Sequence, residues 1–174
     1  MRTGTKSYGP QQRRRTAAYR RLLLGFLVLA AMSKAAIAAD PEGVWLTEEK
    51  DAALTIGRCG DSLCGRIIWL ESARDRSGSL RLDQNNPDPR KQGTRICGLV
   101  VISGLRPSGP DRWEGNVYNP QDGKTYSGEI TVLSDTALKL RAYIGLPLFG
   151  RSETWTRVDS AAVNAIQYSC ENHD

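Results

Sequence analysis

Histidine is almost absent from this chain: its 174 residues include one, His173, next to the C-terminal residue. No nucleophile–base pair can be assembled around it, and the carboxylates Asp83, Asp88 and Glu153 have no spacing that demands acid–base chemistry. A catalytic site needs such groups in a defined mutual geometry. We therefore predict that the protein is not an enzyme and uses no cofactor.

Long apolar runs are missing after residue 38. The one such run, Leu22–Met32, follows a basic region that includes Arg20 and Arg21 and precedes Ala36-Ile37-Ala38. This order is typical of a cleaved signal peptide. The alternative is a membrane anchor, but this run is much shorter than the roughly 20 residues that span a bilayer. We predict a signal peptide over residues 1–38, one exported domain over residues 39–174, and no stable membrane span after processing.

The basic charge of the chain belongs to its N-terminal part. The whole sequence has 24 basic and 19 acidic residues, and eight of the basic residues, but no acidic ones, lie before residue 39. The remaining 16 basic residues face 19 acidic ones, a net charge of −3. Because nucleic-acid binding requires a basic surface, we expect no nucleic-acid partner.

Four cysteines lie within the predicted exported domain, and an even number in an exported chain favours disulfides. They allow three pairings. Cys59 and Cys64 flank Gly60-Asp61-Ser62, a spacing that favours their pairing across a tight hairpin and leaves Cys97 with Cys170. The alternative is a zinc site, which the lack of a suitably spaced histidine disfavours. We predict disulfides and no bound metal, in a periplasmic or secreted protein.

Short alternating segments separated by turn residues fill most of the remaining chain. The clearest hairpin runs from Trp113 to Ile130, around a turn that contains Pro120 and Gly123. The other predicted strands cover 43–47, 53–58, 63–70, 99–103, 137–144 and 153–158. Such spacing predicts a sandwich or an antiparallel up-and-down barrel. Consecutive hairpins favour the all-β barrel of about eight strands, with a short helix over Ala161–Tyr168 outside it.

Two connections between the predicted strands stand out. Glu71–Thr94 is long and irregular, and loops of this length are usually functional or mobile. Its Asp83–Asp88 stretch has the oxygen ligands of a calcium loop, but local turns capped by their own side chains explain it better. The second connection, Gly145–Gly150, carries Leu146, Leu148 and Phe149 and could act as a lid, a plug or a partner contact.

Several short motifs together resemble the DUF2147 family of exported bacterial proteins. They are Gly43-Val44-Trp45, Cys64-Gly65-Arg66-Ile67, Asp83 with Asn85-Asn86-Pro87-Asp88, Cys97-Gly98-Leu99, Trp113-x-Gly115-x-x-Tyr118-x-Pro120-x-x-Gly123-Lys124-x-Tyr126, Leu138-x-Leu140-Arg141-x-Tyr143-x-Gly145 and Trp155-Thr156-Arg157. The resemblance implies a lipocalin-like barrel and no particular activity. Lipocalins also carry Gly-x-Trp in the first strand and an arginine late in the last. Trp45 and Arg157 could therefore stack and close one barrel end.

Aromatic side chains with one arginine are the candidates for a ligand pocket, because such sites are mostly apolar with few polar groups. The candidates are Trp45, Trp69, Trp113, Tyr118, Tyr126, Arg141, Tyr143 and Trp155. Our leading hypothesis is that the barrel binds a small apolar or amphipathic molecule. The alternative is an envelope interaction or structural module whose interior is filled by these same side chains.

Overall fold

The alternating segments form a closed barrel. The computed structural model describes residue 4, residues 40–159, residues 162 and 163, and residue 170. The strands are β1 (Gly43–Leu46), β2 (Ala52–Cys59), β3 (Ser62–Leu70), β4 (Val100–Pro107), β5 (Arg112–Asn119), β6 (Lys124–Ser134), β7 (Ala137–Tyr143) and β8 (Arg151–Arg157). Each strand pairs with the next in antiparallel orientation, and β8 pairs with β1. The predicted eight-stranded all-β barrel is confirmed.

Two predictions fall on parts of the chain outside the described residues. One is the signal peptide over 1–38, which stays a prediction together with the single domain over 39–174. The other is most of the helix over 161–168, of which Ala162 and Val163 are described and are helical. The barrel belongs to the unit Ala38–Asp174.

The barrel has two different ends, because consecutive antiparallel strands run in opposite directions. The turns after β2, β4 and β6 lie at one end, together with residues 40–42, which lead into β1. We call this the closed end. The connections after β1, β3, β5 and β7 lie at the opposite end, which we call the mouth.

The interior between these ends is filled by side chains. Along each strand, every second residue points inward. The largest fully buried hydrophobic side chains on these positions are Trp45, Ile56, Ile102, Leu105, Ile130 and Leu138. An eight-stranded barrel has an interior that such side chains can fill. The level of the barrel that these residues occupy is therefore taken up by the protein's own side chains.

The seam between the first and last strands is short. The pairing of β1 with β8 has two Cα partners, Trp45 with Arg157 and Leu46 with Thr156. A side chain extends it: the Glu48 carboxylate accepts a hydrogen bond from the backbone N–H of Thr154 at 2.7 Å. Since an unpaired strand edge exposes backbone groups, this carboxylate helps to close the barrel where the β1 backbone ends.

The long connection from β3 to β4 is folded against the barrel. It contains a 3₁₀ turn, Pro89–Lys91, and isolated bridges pair Arg74 with Leu80 and Leu82 with Arg95. Ile96 belongs to the buried hydrophobic core, and Ala73 and Leu99 pack against it. The irregular segment expected from the sequence thus contributes core residues at the β3–β4 side of the mouth.

A buried carboxylate anchors this connection. Asp83 is 0% exposed; its Oδ1 accepts from the Tyr118 hydroxyl at 2.7 Å and its Oδ2 from Asn86 Nδ2 at 2.6 Å. Burial, followed by the hydrogen bond to Asp83, raises the pKa of Tyr118 to about 12. The Asn86 and Asp88 side chains accept from backbone N–H groups two residues ahead, as the turn interpretation predicts.

A second contact docks the connection onto the turn between β5 and β6. Asn85 Nδ2 donates to the Gln121 carbonyl at 2.8 Å, and its backbone carbonyl lies over Gly123. A Cβ at Gly123 would overlap that carbonyl, and the residue also has a φ of +70°. Glycine is therefore required here both by the close approach and by the backbone conformation.

We expect Tyr118→Phe to lower the free energy of unfolding by about 1–3 kcal/mol, because it leaves the buried Asp83 carboxylate short of one donor. Chemical denaturation measures this directly. The matched control is Tyr126→Phe, whose hydroxyl donates to the exposed Asp122 at 2.5 Å. Loss of a solvent-exposed hydrogen bond of this kind usually costs within about 0.5 kcal/mol, because water replaces the lost partner. Equal costs for the two variants would contradict the anchoring role of Asp83.

Candidate functional site: the mouth of the barrel

The closed end is sealed by the pair that the lipocalin resemblance implied. The Arg157 guanidinium carbon lies 4.1 Å from the centroid of the Trp45 ring. The guanidinium also donates to three backbone carbonyls, those of Asp135 at 2.6 Å, Glu42 at 2.6 Å and Asp40 at 2.9 Å. The Trp45 indole N–H donates to the Pro41 carbonyl at 2.8 Å. This end is therefore occupied by the protein's own side chains and backbone.

Both disulfides favoured by the cysteine spacing are present. Cys59 bonds Cys64 across the β2–β3 turn at the closed end. Cys97 bonds Cys170, which ties the C-terminal part of the chain to the segment that precedes β4.

The eight pocket candidates do not converge on one site, which corrects their grouping in the sequence analysis. Four share the inward register of the core: Trp45, Trp113, Tyr126 and Trp155. Trp69 pairs with Ala53, whereas its neighbour Leu70 belongs to the core. Arg141 and Tyr143 alternate with the inward Leu138 and Leu140, so they lie on the outer face. The Tyr118 hydroxyl donates its hydrogen bond to Asp83 in the β3–β4 connection.

The register of β8 brings two charged residues into the mouth. Trp155 pairs with Leu138, and both are buried in the core. Two residues earlier, Glu153 pairs with the buried Leu140, and Arg151 pairs with Ala142. Glu153 and Arg151 therefore point inward by alternation, yet both are exposed. Water reaches the inner wall of the barrel at this level. We call Tyr126, Ala142, Arg151 and Glu153 the mouth residues.

The polar side chains of the mouth differ in whether they have hydrogen-bond partners within the protein. Glu153 Oε2 accepts from the Trp155 indole N–H at 3.1 Å, which orients its carboxylate along the inner wall. The hydrogen bond from Tyr126 to Asp122 raises the pKa of Tyr126, and the charge of Arg151 acts in the opposite direction. The backbone of Arg151 is paired with β7, but within residues 40–159 its side chain forms no hydrogen bond and no ion pair, so its guanidinium is available to a ligand.

A run of exposed apolar side chains begins directly after β7, close in sequence to the mouth residue Ala142. Ile144, Leu146, Leu148 and Phe149 follow β7 directly, and all four are exposed. We call residues 144–149 the apolar segment. Its 3₁₀ turn, Pro147–Phe149, is held by Arg141, whose Nε donates to the Pro147 carbonyl at 2.8 Å. Arg141 thus has a role in placing this segment that the sequence did not indicate.

Arg151 and Glu153 were missed as site residues by sequence reasoning. The alternation that places Trp155 inside was visible, and the same alternation extended by two and four residues includes Glu153 and Arg151. Charged residues near a strand end are usually assigned to solvent. Their inward position becomes clear only from the pairing with β7.

Neither a metal-binding cluster nor a membrane-spanning helix occurs among the residues that the structure describes. Residues 40–159, 162, 163 and 170 bring together no group of three or more His, Cys, Asp or Glu that could hold a metal ion. In the same residues, no helix has the length and apolar character to cross a membrane.

Comparison with protein families decides the relationship of the chain. A family model described as "Uncharacterized protein conserved in bacteria (DUF2147)" matches residues 43–157. The chain belongs to the DUF2147 family. The match begins at the first residue of β1 and ends at the last residue of β8, so it spans all eight strands of the barrel. The family resemblance proposed from the motifs is confirmed.

A solved structure agrees with this DUF2147 barrel in fold. It is titled "Protein HP1028 from the human pathogen Helicobacter pylori belongs to the lipocalin family". The similarity covers 74% of this chain and 90% of that one, with a TM-score of 0.62 and 23% sequence identity. At this identity the likeness shows the fold alone, and it confirms the lipocalin-like architecture. No curated protein matches the chain.

Proposed function

We propose that this DUF2147 protein binds a small amphipathic molecule with an anionic head group at the mouth of its barrel. The observation that carries the proposal is the inward yet exposed position of Arg151 and Glu153 above the buried Leu140 and Trp155. Ligand sites combine an apolar lining with few polar groups that fix orientation. The uncommitted guanidinium of Arg151 suits a carboxylate, sulfonate or phosphate head group.

The apolar part of the ligand would contact the wall next to these charges. Ala142 is small and faces inward. The exposed Ile144 follows two residues later, directly after the end of β7. The filled interior below Leu140 limits the depth of binding, so the ligand would lie across the mouth. Such a site is shallower than the central aromatic pocket that the sequence predicts.

The compartment of this function is supported by the cysteines. Both disulfides are of the kind that persists in oxidising compartments. We therefore retain the periplasm or the exterior of the cell as the place of action, which is also what the predicted signal peptide implies.

We expect Arg151→Ala to weaken binding of anilinonaphthalene sulfonate, an anionic amphipathic probe, by about tenfold. The physical reason is the loss of a charge-assisted hydrogen bond, about 1.5 kcal/mol. Fluorescence titration measures the dissociation constant. Ala142→Trp should abolish binding by filling the mouth. Arg112→Ala is the matched control, since Arg112 is an exposed arginine in a surface ion pair with Glu129 at 3.7 Å.

Exposed apolar side chains could bind the same probe, so a second control is needed. Leu148→Ser with Phe149→Ser should leave the titration unchanged if the probe occupies the mouth. The proposal would be refuted if the double serine variant lost probe binding while Arg151→Ala and Ala142→Trp bound the probe as the wild type does. Native mass spectrometry of protein isolated from its source would then identify any resident ligand.

The alternative function, an interaction module with a filled barrel, has one specific observation in its favour. The apolar segment is exposed outside the filled interior. If the wild type bound no amphipathic probe and crosslinking captured one partner through this segment, the alternative would replace our proposal.

A further inference from the structure

The apolar segment holds most of the large hydrophobic residues that are exposed in the described part of the chain. Five large hydrophobic residues are exposed among residues 40–159, and four of them lie within residues 144–149. Leu148 and Phe149 are 80% and 77% exposed. The fifth, Leu133, lies near the closed end, at the other end of the barrel. Clustered apolar exposure of this kind marks an interaction site, whereas a single exposed leucine does not.

The segment and the strand residues on either side of it in sequence carry only positive charge. Residues 139–152 contain three basic residues, Lys139, Arg141 and Arg151, and no acidic residue. Acidic residues lie on neighbouring elements: Glu129 pairs with Arg141 across β6 and β7, Glu153 follows in β8, and the β1–β2 connection at the same end carries Glu48, Glu49 and Asp51. The rest of the predicted exported domain must therefore be strongly acidic in balance, since its total is −3. An anionic surface would be attracted to the flanks of this segment, whereas the acidic β1–β2 connection would repel it, so the β7–β8 side of the mouth is the side that would make the contact.

The segment is also held in a fixed, protruding conformation. Two contacts close its turn: the Phe149 N–H donates to the Leu146 carbonyl at 3.2 Å, and Arg141 donates to the Pro147 carbonyl. Arg141 Nη1 further donates to Ser152 Oγ at 2.8 Å, which links the segment to β8. Because the backbone is tied down, little ordering entropy would be lost on docking.

We propose that the apolar segment inserts into the surface of a lipid bilayer with anionic head groups, so that the β7–β8 side of the mouth faces the membrane. A bilayer accepts a convex apolar tip without a matching pocket, and binding grows with the buried apolar area and with basic residues beside it. Arg141, on the outer face of β7 and hydrogen-bonded to the Pro147 carbonyl, supplies charge directly beside the segment, and Lys139 lies two residues nearer the closed end on the same face. This docking does not depend on a ligand in the mouth.

Flotation with vesicles of phosphatidylethanolamine and phosphatidylglycerol tests the proposal. The protein is used in the form that the cell accumulates, with its N-terminus determined by mass. Leu148→Ser with Phe149→Ser should weaken vesicle binding at least ~10-fold, because two large apolar side chains no longer leave water. Leu133→Ser is the matched control and should bind as the wild type does. Equal melting temperatures show that the variants are folded.

A reporter locates the contact independently. Phe149→Trp should shift tryptophan emission to shorter wavelength when vesicles are added, beyond any change in the wild type, and Leu133→Trp should not. Undiminished binding by the double serine variant would overturn the proposal. So would equal binding to phosphatidylcholine vesicles, or a dimer that the double variant converts to a monomer while vesicle binding is unchanged.

Discussion

Replacing Cys97 and Cys170 together by serine should lower the free energy of unfolding by about 4 kcal/mol. The bond joins residues 73 apart in sequence, and the chain-entropy model gives roughly this value for a loop of that length. Cys97 also packs against the core, so the released segment would lose its attachment near the mouth. Reversible denaturation of the wild-type protein and of the double serine variant, both without reductant, gives the difference in the free energy of unfolding.

The other disulfide is the internal control for this prediction. Cys59 and Cys64 are 5 residues apart, and the same model gives about 2 kcal/mol for their double serine variant. The order of the two costs follows from loop length alone. A smaller cost for the Cys97–Cys170 pair than for Cys59–Cys64 would mean that the C-terminal part of the chain is not constrained as the structure indicates.

Substitution Arg157→Ala should cost about 3 kcal/mol of stability, the second largest effect that we expect. The change leaves the Asp40, Glu42 and Asp135 carbonyls without their donor, and a hydrogen bond to a charged group contributes about 1.5–3 kcal/mol net. Because the bonds to Asp40 and Asp135 are exposed, water can replace the guanidinium there, and the total stays near the value of one or two such bonds. It also removes the cation from the Trp45 ring. Thermal and chemical denaturation should agree on the loss.

Two variants separate the geometry of Arg157 from its charge. Arg157→Lys keeps the charge but lacks the planar fork that reaches several carbonyls while stacking, so it should recover less than half of the loss. Arg58→Ala removes an exposed arginine that pairs with Glu42 at 3.5 Å, and should cost no more than about 0.5 kcal/mol. A cost below about 1 kcal/mol for Arg157→Ala would contradict its sealing role.

The same arginine explains a neighbouring glycine. Gly43 has a φ of +133°, and a Cβ there would overlap Arg157 Nη1. The Gly-x-Trp pattern of β1 therefore serves the seal directly: the tryptophan provides the ring, and the glycine leaves space for the guanidinium above it.

Strand positions were accessible from the sequence because the signal is local. Alternation with period two appears within five to eight residues, and β7 and the β5–β6 hairpin were recognised by it. The Cys59–Cys64 pairing was accessible for the same reason, since both residues flank one turn. Closure of the barrel needed the further argument that consecutive hairpins leave two strand edges to be joined.

The connection between β3 and β4 shows what local reasoning cannot reach. Nothing in its periodicity indicated that Ile96 is a core residue or that Asp83 is fully buried. Both facts depend on where the segment docks, through Asn85 against Gly123 and through Asp83 against Tyr118. These partners are 35 or more residues apart, so their contacts are a property of the assembled barrel.

The sequence by itself determined the strands, the all-β class, the family and the identity of the sealing pair. Only the tertiary structure decided which inward-facing residues are core and which form the mouth. Trp155 and Glu153 share one face of β8, yet the first is buried and the second is exposed. Alternation is set by backbone geometry within a strand, whereas burial depends on depth along the barrel axis and on how neighbouring strands and connections cover each level.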